Sequence, residues 1–306
     1  MKKIIITGSN GLLGQHLMTL LLKEKEKYEV IGFSRGTNRS GREDFKYVSI
    51  DLTHKDQLIK ELNSIQPNII INAAAMTQVD QCEKQKDQCD ALNVVAVETL
   101  IEFSEKNNVH IVHLSTDFIF DGKKKGYYKE TDIPNPLSYY GLSKLKAENK
   151  LMNSGVEYTI LRTILVYGKV LNMSRSNIVL WVKESLELGK VIYVVNDQYR
   201  TPTYVMTLAE ACKSVIDKDK KGIFNISSTQ LLSIYDIAKQ IAETFNLNEA
   251  LITPISSQEL NQPAQRPEST GFDLSKTTKE LGLDFKTFKE DIQNFKQTIT
   301  LKKTFN

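Results

Sequence analysis

Short apolar runs alternate with amphipathic stretches through the first half of the chain. Residues 3–7, 29–34, 47–50, 68–73, 110–115 and 158–162 have the length and β-branched character of buried strands. Between them the apolar spacing predicts helices over 11–25, 55–65, 87–107 and 140–153. Thr53 can cap the second of these helices, with Asp56 three residues on in a capping-box-like arrangement. Strands and helices in strict alternation imply a parallel sheet covered by helices on both faces.

From about Gly168 the pattern loosens. Helices are predicted over 176–188, 206–217, 233–245, 275–281 and 288–303, and strands over 191–195 and 222–226. Pro254, Pro263 and Pro267 mark a loop-rich stretch. There is no internal repeat and no low-complexity linker. The chain therefore divides into a first unit, 1–168, and a smaller α/β lobe, 169–306, expected to return some strands to the main sheet.

At 306 residues the chain can bury a large core. Its apolar content of 41%, charged content of 25% and net charge of +3 are those of an ordinary globular protein, and they argue against a nucleic-acid partner. The run Lys123-Lys124-Lys125 beside Gly122 and Gly126 reads as a solvated loop. No apolar stretch is long enough to cross a bilayer, so no membrane role is expected. The apolar run after Met1-Lys2-Lys3 is cut short by a glycine turn, too soon for a secretory signal. With no such signal, the odd set Cys82, Cys89 and Cys212 fits reduced thiols in a cytoplasmic protein. His16, His54, His110 and His113 form no ligand cluster, and no metal site is expected; His110 and His113 read as structural.

Chemistry begins at Thr7-Gly8-Ser9-Asn10-Gly11-Leu12-Leu13-Gly14, directly after Ile4-Ile5-Ile6 and directly before a helical pattern. Strand, glycine turn and helix in that order make a phosphate-binding unit. Gly8 allows the tight turn, Gly11 lets backbone approach a pyrophosphate, and Gly14 lets helix pack on strand. The helix N-terminus offers N–H groups and the positive end of its dipole to the anion.

A second constellation lies further on. The strand that ends in Ser115-Thr116-Asp117 is followed by Tyr140-Gly141-Leu142-Ser143-Lys144. Tyr and Lys four apart share one helix face, and an ammonium beside a phenol favours its ionised form, which suits a proton donor. Two tyrosines have Lys four residues on, Tyr140 and Tyr235, so the spacing alone is weak. Position separates them: Tyr140 follows the Ser-Thr strand, whereas Tyr235 lies in the second lobe and reads as helix surface or core.

The glycine spacing resembles that of the extended short-chain dehydrogenases/reductases. Asn72-Ala73-Ala74-Ala75-Met76-Thr77-Gln78-Val79-Asp80 with Cys82-Glu83 and Leu92-Asn93 resembles, more narrowly, the dTDP-4-dehydrorhamnose reductases. So do Ser115–Gly122, Tyr140–Lys144, Leu161-Arg162-Thr163, Val166-Tyr167-Gly168, Asn196-Asp197-Gln198-Tyr199, Pro202-Thr203 and Arg266-Pro267, so the resemblance runs nearly the whole chain. It implies a Rossmann-type, doubly wound parallel sheet, with 1–168 binding the dinucleotide and 169–306 mainly the substrate. It implies reduction of the 4-keto group of a nucleotide-linked 6-deoxy sugar. In that chemistry Tyr140 is the proton donor, Lys144 holds the nicotinamide ribose and lowers the phenol pKa, and Thr116 polarises the carbonyl, with Ser115 as alternative. The cofactor would be held by Gly8, Asn10, Gly11, Leu12, Gly14, Asp51, Leu52, Ala73, Ala74 and Lys144, and the sugar nucleotide by Thr77, Val79, Asn177, Arg200 and Arg266. A homodimer is left open.

The second strand ends Gly32-Phe33-Ser34-Arg35, without the acid that commonly bonds a ribose 2′-hydroxyl. Arg35, assisted by Arg39, can instead hold a 2′-phosphate, so NADPH is the expected cofactor and NADH the alternative. Three positions depart from the family pattern. Ile164-Leu165 stands where a tryptophan is common, Arg200 where a glycine is usual, and Gln15-His16 where some relatives carry an acid for a metal between subunits. Arg200 reads either as a diphosphate contact or as a surface ion pair. The alternatives to the reductase are a related sugar-nucleotide reductase or epimerase, and a non-catalytic cofactor-binding subunit like that of methionine adenosyltransferase.

Overall fold

The computed structural model describes residues 1–301. The first half runs β1 (Lys2–Thr7), α1 (Leu12–Leu21), β2 (Tyr28–Ser34), β3 (Lys46–Ser49), α2 (Lys55–Ile65), β4 (Ile69–Asn72), α3 (Val79–Lys84), α4 (Lys86–Asp90), α5 (Ala96–Asn107), β5 (His110–Thr116), β6 (Tyr127–Tyr128), α6 (Tyr139–Met152), β7 (Tyr158–Thr163) and β8 (Val166–Tyr167). The remainder runs α7 (Ile178–Glu187), β9 (Ile192–Val195), β10 (Tyr199–Arg200), β11 (Thr203–Tyr204), α8 (Val205–Asp217), β12 (Gly222–Ile226), β13 (Leu232–Ser233), α9 (Ile234–Phe245), β14 (Ile252–Ile255), β15 (Ser269–Phe272), α10 (Ser275–Leu281) and α11 (Phe288–Leu301).

Successive side chains of a strand point to opposite faces. In β1, Ile4 and Ile6 enter one core with Leu17 and Met18 of α1 and Leu208 and Cys212 of α8. Ile5 enters the other, with Leu58 and Leu62 of α2 and Leu100 of α5. Burial on both faces is why β1 and β4 are unbroken isoleucine runs rather than alternating ones. The result is a seven-stranded sheet in the order β12-β7-β5-β4-β1-β2-β3. All of its pairings are parallel. This is the expected Rossmann-type α/β sheet. Its β12 edge strand comes from the second half of the chain, as do the α8 side chains in the first core.

The rest of the second half packs around Tyr167, Val179, Ile237, Phe288 and Phe295. Small sheets link distant segments there: β13-β10-β15-β6, β11-β8 and β14-β9.

Several expectations are corrected. The stretch 87–107 is not one helix, because a π-helical turn at Ala91–Val95 separates α4 from α5. The helix 11–25 ends at Leu21 and continues only as a 3₁₀ turn, Leu22–Glu24. Thr53 does not cap α2. Its hydroxyl donates to Asp51 Oδ1 at 2.8 Å, and His54 occupies the cap position. The strand pairs of two residues and helix α3 carry too little periodicity to be read. Of the predicted helix 288–303, residues 302 and 303 lie outside the described residues. Among the described residues no helix is long and apolar enough to cross a membrane.

Candidate active site

The carboxyl ends of β1, β2, β4, β5 and β7 open into one cleft of about 680 Å³. Gly8 turns the chain out of β1 with φ +67°, and a Cβ there would stand 3.0 Å from Ala73 O and Ala74 N. A Cβ on Gly14 would stand 2.3 Å from Gly8 O, so only glycine lets α1 sit against this turn. The N-cap of α1 is Gly11, with no side-chain cap. The first N–H groups of the helix are therefore left for an anion, and the turn fits a dinucleotide pyrophosphate on this structure's own geometry.

The other end of the cleft carries acid–base chemistry. Thr116 closes β5; its Oγ1 donates to Asp117 Oδ1 at 3.1 Å and accepts the Phe118 N–H at 3.2 Å. Ser138 caps α6 by accepting the Gly141 N–H at 3.2 Å. A Cβ on Gly141 would lie 2.1 Å from Phe118 O, and this close approach sets Tyr140 beside the end of β5. The Phe118 and Tyr140 rings meet edge to face at 5.8 Å. One turn on, Lys144 is buried, and its Nζ lies 2.9 Å from His113 Nε2.

Burial sets the electrostatics. It pushes the Tyr140 phenol above its ordinary value, the Thr116 hydroxyl pulling the other way and Asp117 adding to the rise. It brings Lys144 down to about 8, against the pull of Glu148. It holds His113 well below the usual imidazole range, with the Lys144 charge adding to the effect. At neutral pH the site thus offers a protonated phenol, a nearby ammonium and a neutral imidazole.

The RmlD substrate binding domain family model matches residues 1–301. The chain belongs to this family. Among curated relatives, the dTDP-4-dehydrorhamnose reductase of Aggregatibacter actinomycetemcomitans is 33% identical, over 97% of this chain and 99% of that protein. A crystal structure of a dTDP-4-dehydrorhamnose reductase from Clostridium acetobutylicum superposes with TM-score 0.85 at 30% identity, covering 97% of this chain and 99% of the other. That of Bacillus anthracis, solved in complex with NADP, gives 0.83 at 29% identity, covering 96% and 98%.

In this RmlD-family chain the cleft is lined by Gly8, Asn10, Gly11, Leu12, Arg35, Asp51, Leu52, Ala73 and Ala74 toward the glycine turn. Thr116, Tyr140, Lys144, Thr77, Val79, Asn177, Arg200 and Arg266 line it as well. Gly14 does not; it packs behind Gly8. Arg35 is 74% exposed, its nearest anion being Asp51 Oδ2 at 3.7 Å. The Asn10 side chain is turned to the following loop, bonding Thr37 O and Tyr47 Oη at 2.9 Å and the Arg39 N–H at 2.8 Å. Asn177 caps α7 and donates to Gly168 O at 2.7 Å, so its polar atoms are engaged within the fold. Arg266 forks onto Asp80 at 2.8 and 3.2 Å, and Thr77 Oγ1 accepts from Arg175 Nη1 at 3.0 Å.

Arg200 is the main correction. It is buried, not a surface ion pair. It donates to Tyr199 O and Pro267 O at 2.7 Å and to Glu268 O at 3.2 Å, with Nε 3.5 Å from Asp117 Oδ2. With these partners its charge is answered inside the protein, which argues against a grip on a diphosphate. Leu165 lines the cleft with φ +43°, a costly conformation for a leucine.

Other contributing residues were not picked out by sequence. Asn93, on the π-helical turn, clamps Met76 through both backbone atoms at 2.8 and 3.0 Å and reaches Ser143 Oγ at 3.0 Å. It thereby ties the loop after β4 to the helix carrying Tyr140. Asn93 stands within a family stretch, but only the fold gives it a partner. Gly141 sits inside the Tyr–Lys motif, where its close approach to Phe118 has no local signal.

Proposed function

We propose that this protein reduces the 4-keto group of a nucleotide-linked 6-deoxy sugar with NADPH. Dehydro-L-rhamnose on dTDP is the substrate, and dTDP-L-rhamnose the product. The observation that carries this reading is the meeting of Thr116, Tyr140 and Lys144 in the same cleft as the glycine turn. The curated and structural relatives named above are reductases of this sugar nucleotide, and one was solved with NADP.

Bound NADPH supplies the hydride to the carbonyl carbon. Thr116 turns its hydroxyl from Asp117 to the carbonyl oxygen and polarises it. Tyr140 gives its proton to the same oxygen, so that hydride and proton together make the alcohol. The Lys144 ammonium stabilises the phenolate left behind. Gly8, Gly11 and the N-terminus of α1 receive the pyrophosphate, with Gly14 holding the helix to the turn. Arg35 and Arg39 face the 2′-phosphate, and Asp51, Leu52, Ala73 and Ala74 wall the adenine and nicotinamide ribose. Thr77, Val79 and Arg266 face the sugar nucleotide, while Arg200 and Asn177 shape the wall. Residues 1–168 bind the dinucleotide and 169–306 mainly the substrate. The buried free thiols Cys82, Cys89 and Cys212 suit the cytoplasm.

The test follows NADPH absorbance on addition of dTDP-4-dehydro-L-rhamnose, generated in situ by a dehydratase and an epimerase. Steady turnover is expected. Turnover of other nucleotide keto sugars alone would make this a sister reductase, and no turnover of any would make it a binding protein.

A further inference from the structure

Beneath the cleft, four buried side chains form one line. Thr7, Asn72 and His113 are register partners on the adjacent strands β1, β4 and β5. Thr7 Oγ1 lies 2.6 Å from Asn72 Oδ1, Asn72 Nδ2 lies 3.1 Å from His113 Nδ1, and His113 Nε2 lies 2.9 Å from Lys144 Nζ. At the far end, Thr7 Oγ1 accepts the Ala74 N–H at 3.1 Å. Relative exposure is 0% for Thr7 and His113, 2% for Lys144 and 3% for Asn72, so each polar atom here depends on the next.

Proton counting allows two polarities. As the amide stands here, Thr7 donates to Asn72 Oδ1 and the Asn72 amide donates to His113 Nδ1. His113 then carries its proton on Nε2, and Lys144 must accept it as an uncharged amine. If the Asn72 amide is reversed, its oxygen accepts the His113 Nδ1–H and its nitrogen donates to Thr7 Oγ1, whose own hydroxyl proton then points away from Asn72. His113 Nε2 is then free to accept from a Lys144 ammonium. Only the second polarity leaves a cation beside Tyr140. At its far end the line stops at the Ala74 backbone N–H.

The groups facing Lys144 agree with this. From α6 comes Glu148, held by Arg162 of β7; from α4 comes Cys89; from β5 comes His113. Glu148 is already engaged by Arg162 at 2.7 and 3.1 Å. His113 Nε2 is thus the hydrogen-bonding atom that the fold places directly on Nζ.

We propose that His113 is a positioning residue for the reduction: its Nε2 accepts from the Lys144 ammonium, its Nδ1–H is held by Asn72, and the pair fixes that charge beside Tyr140. The proposal rests on the roles given to Tyr140 and Lys144 above. Nitrogen NMR of protein labelled in its four histidines, free and with NADP⁺, reads the tautomer directly and needs no turnover. A neutral His113 with the proton on Nδ1 is expected; a proton on Nε2 overturns the proposal. That result stands even if wild type reduces no keto sugar, which would instead defeat the functional reading.

Turnover variants add a second readout. In His113→Leu the ammonium loses its acceptor, so kcat should fall about tenfold or more, with KM for the sugar nucleotide within about threefold. The alkaline limb of the pH profile should move down by about one to two units, the scale of one hydrogen bond to a charged group. His113→Gln, which supplies an amide oxygen, should restore most of the limb position. A folded, cofactor-binding His113→Leu with its limb unmoved or moved upward overturns the proposal. If His113→Leu does not fold, the tautomer and the limb of His113→Gln decide.

Discussion

Arg162 on β7 and Glu148 on α6 form a forked ion pair that is almost wholly out of water, with side-chain exposures of 2% and 0%. Nε meets Oε1 at 3.1 Å and Nη2 meets Oε2 at 2.7 Å, while Nη1 donates to Glu130 O at 3.1 Å. The pair pins α6 to the sheet one turn beyond Lys144. Removing one partner leaves a buried charge unanswered, so Glu148→Leu should lower unfolding free energy by about 3–5 kcal/mol. Glu148→Leu with Arg162→Met removes both charges and should recover most of that loss. Denaturant unfolding checks this, and a double variant no more stable than the single would show that the cost lies in packing instead.

Tyr140→Phe removes one hydroxyl from a buried ring and leaves its contact with Phe118. Turnover should fall about a hundred- to ten-thousand-fold, the usual cost of losing a general acid. Cofactor affinity and thermal midpoint should stay near wild type. Lys144→Ala should slow turnover and weaken cofactor binding together. Near-wild-type turnover in Tyr140→Phe would reject the proton-donor role.

Arg35 is mostly exposed, and its ion pair with Asp51 at 3.7 Å is of the kind that contributes little. Its guanidinium is therefore available to a 2′-phosphate. Arg35→Ala should weaken NADPH by roughly one to two orders of magnitude, since a hydrogen bond to a charged group is worth about 1.5–3 kcal/mol. NADH affinity should change little. Fluorescence titration of both cofactors decides, and equal losses would place Arg35 away from the 2′ position.

The parts readable in the sequence are those fixed by neighbours along the chain. Ile4-Ile5-Ile6 followed by Gly8, Gly11 and Gly14 needs only local geometry, and so does Tyr140 one turn before Lys144. What stayed hidden depends on segments far apart. His113 and Lys144 meet only because α6 packs on β5. Arg200 is buried because two-residue β10 pairs with β13 and β15, and neither pairing leaves a periodic trace. The π-helical turn at Ala91–Val95 runs directly from one helix into the next without a breaking residue, so 87–107 reads as a single helix. Thr53 looks like a cap, but Asp51 two residues earlier competes for its hydroxyl.

The pH dependence of turnover follows from Lys144. Burial lowers its ammonium from the ordinary lysine value to about 8, and Glu148 limits the fall. Reduction needs the ammonium charged and the Tyr140 phenol protonated. Tyr140 is shifted upward, so its proton stays on throughout the range where Lys144 titrates. Rate should therefore be level through neutrality and decline as pH rises through about 8, with one proton lost. His113 is held too low to add a step near neutrality. A pH profile of kcat with saturating NADPH checks this. A limb near the ordinary lysine value of about 10.4 would mean that the occupied site stabilises the ammonium far more than the empty cleft does. Lys144→Arg, which cannot deprotonate in this range, should abolish the limb whatever activity it retains.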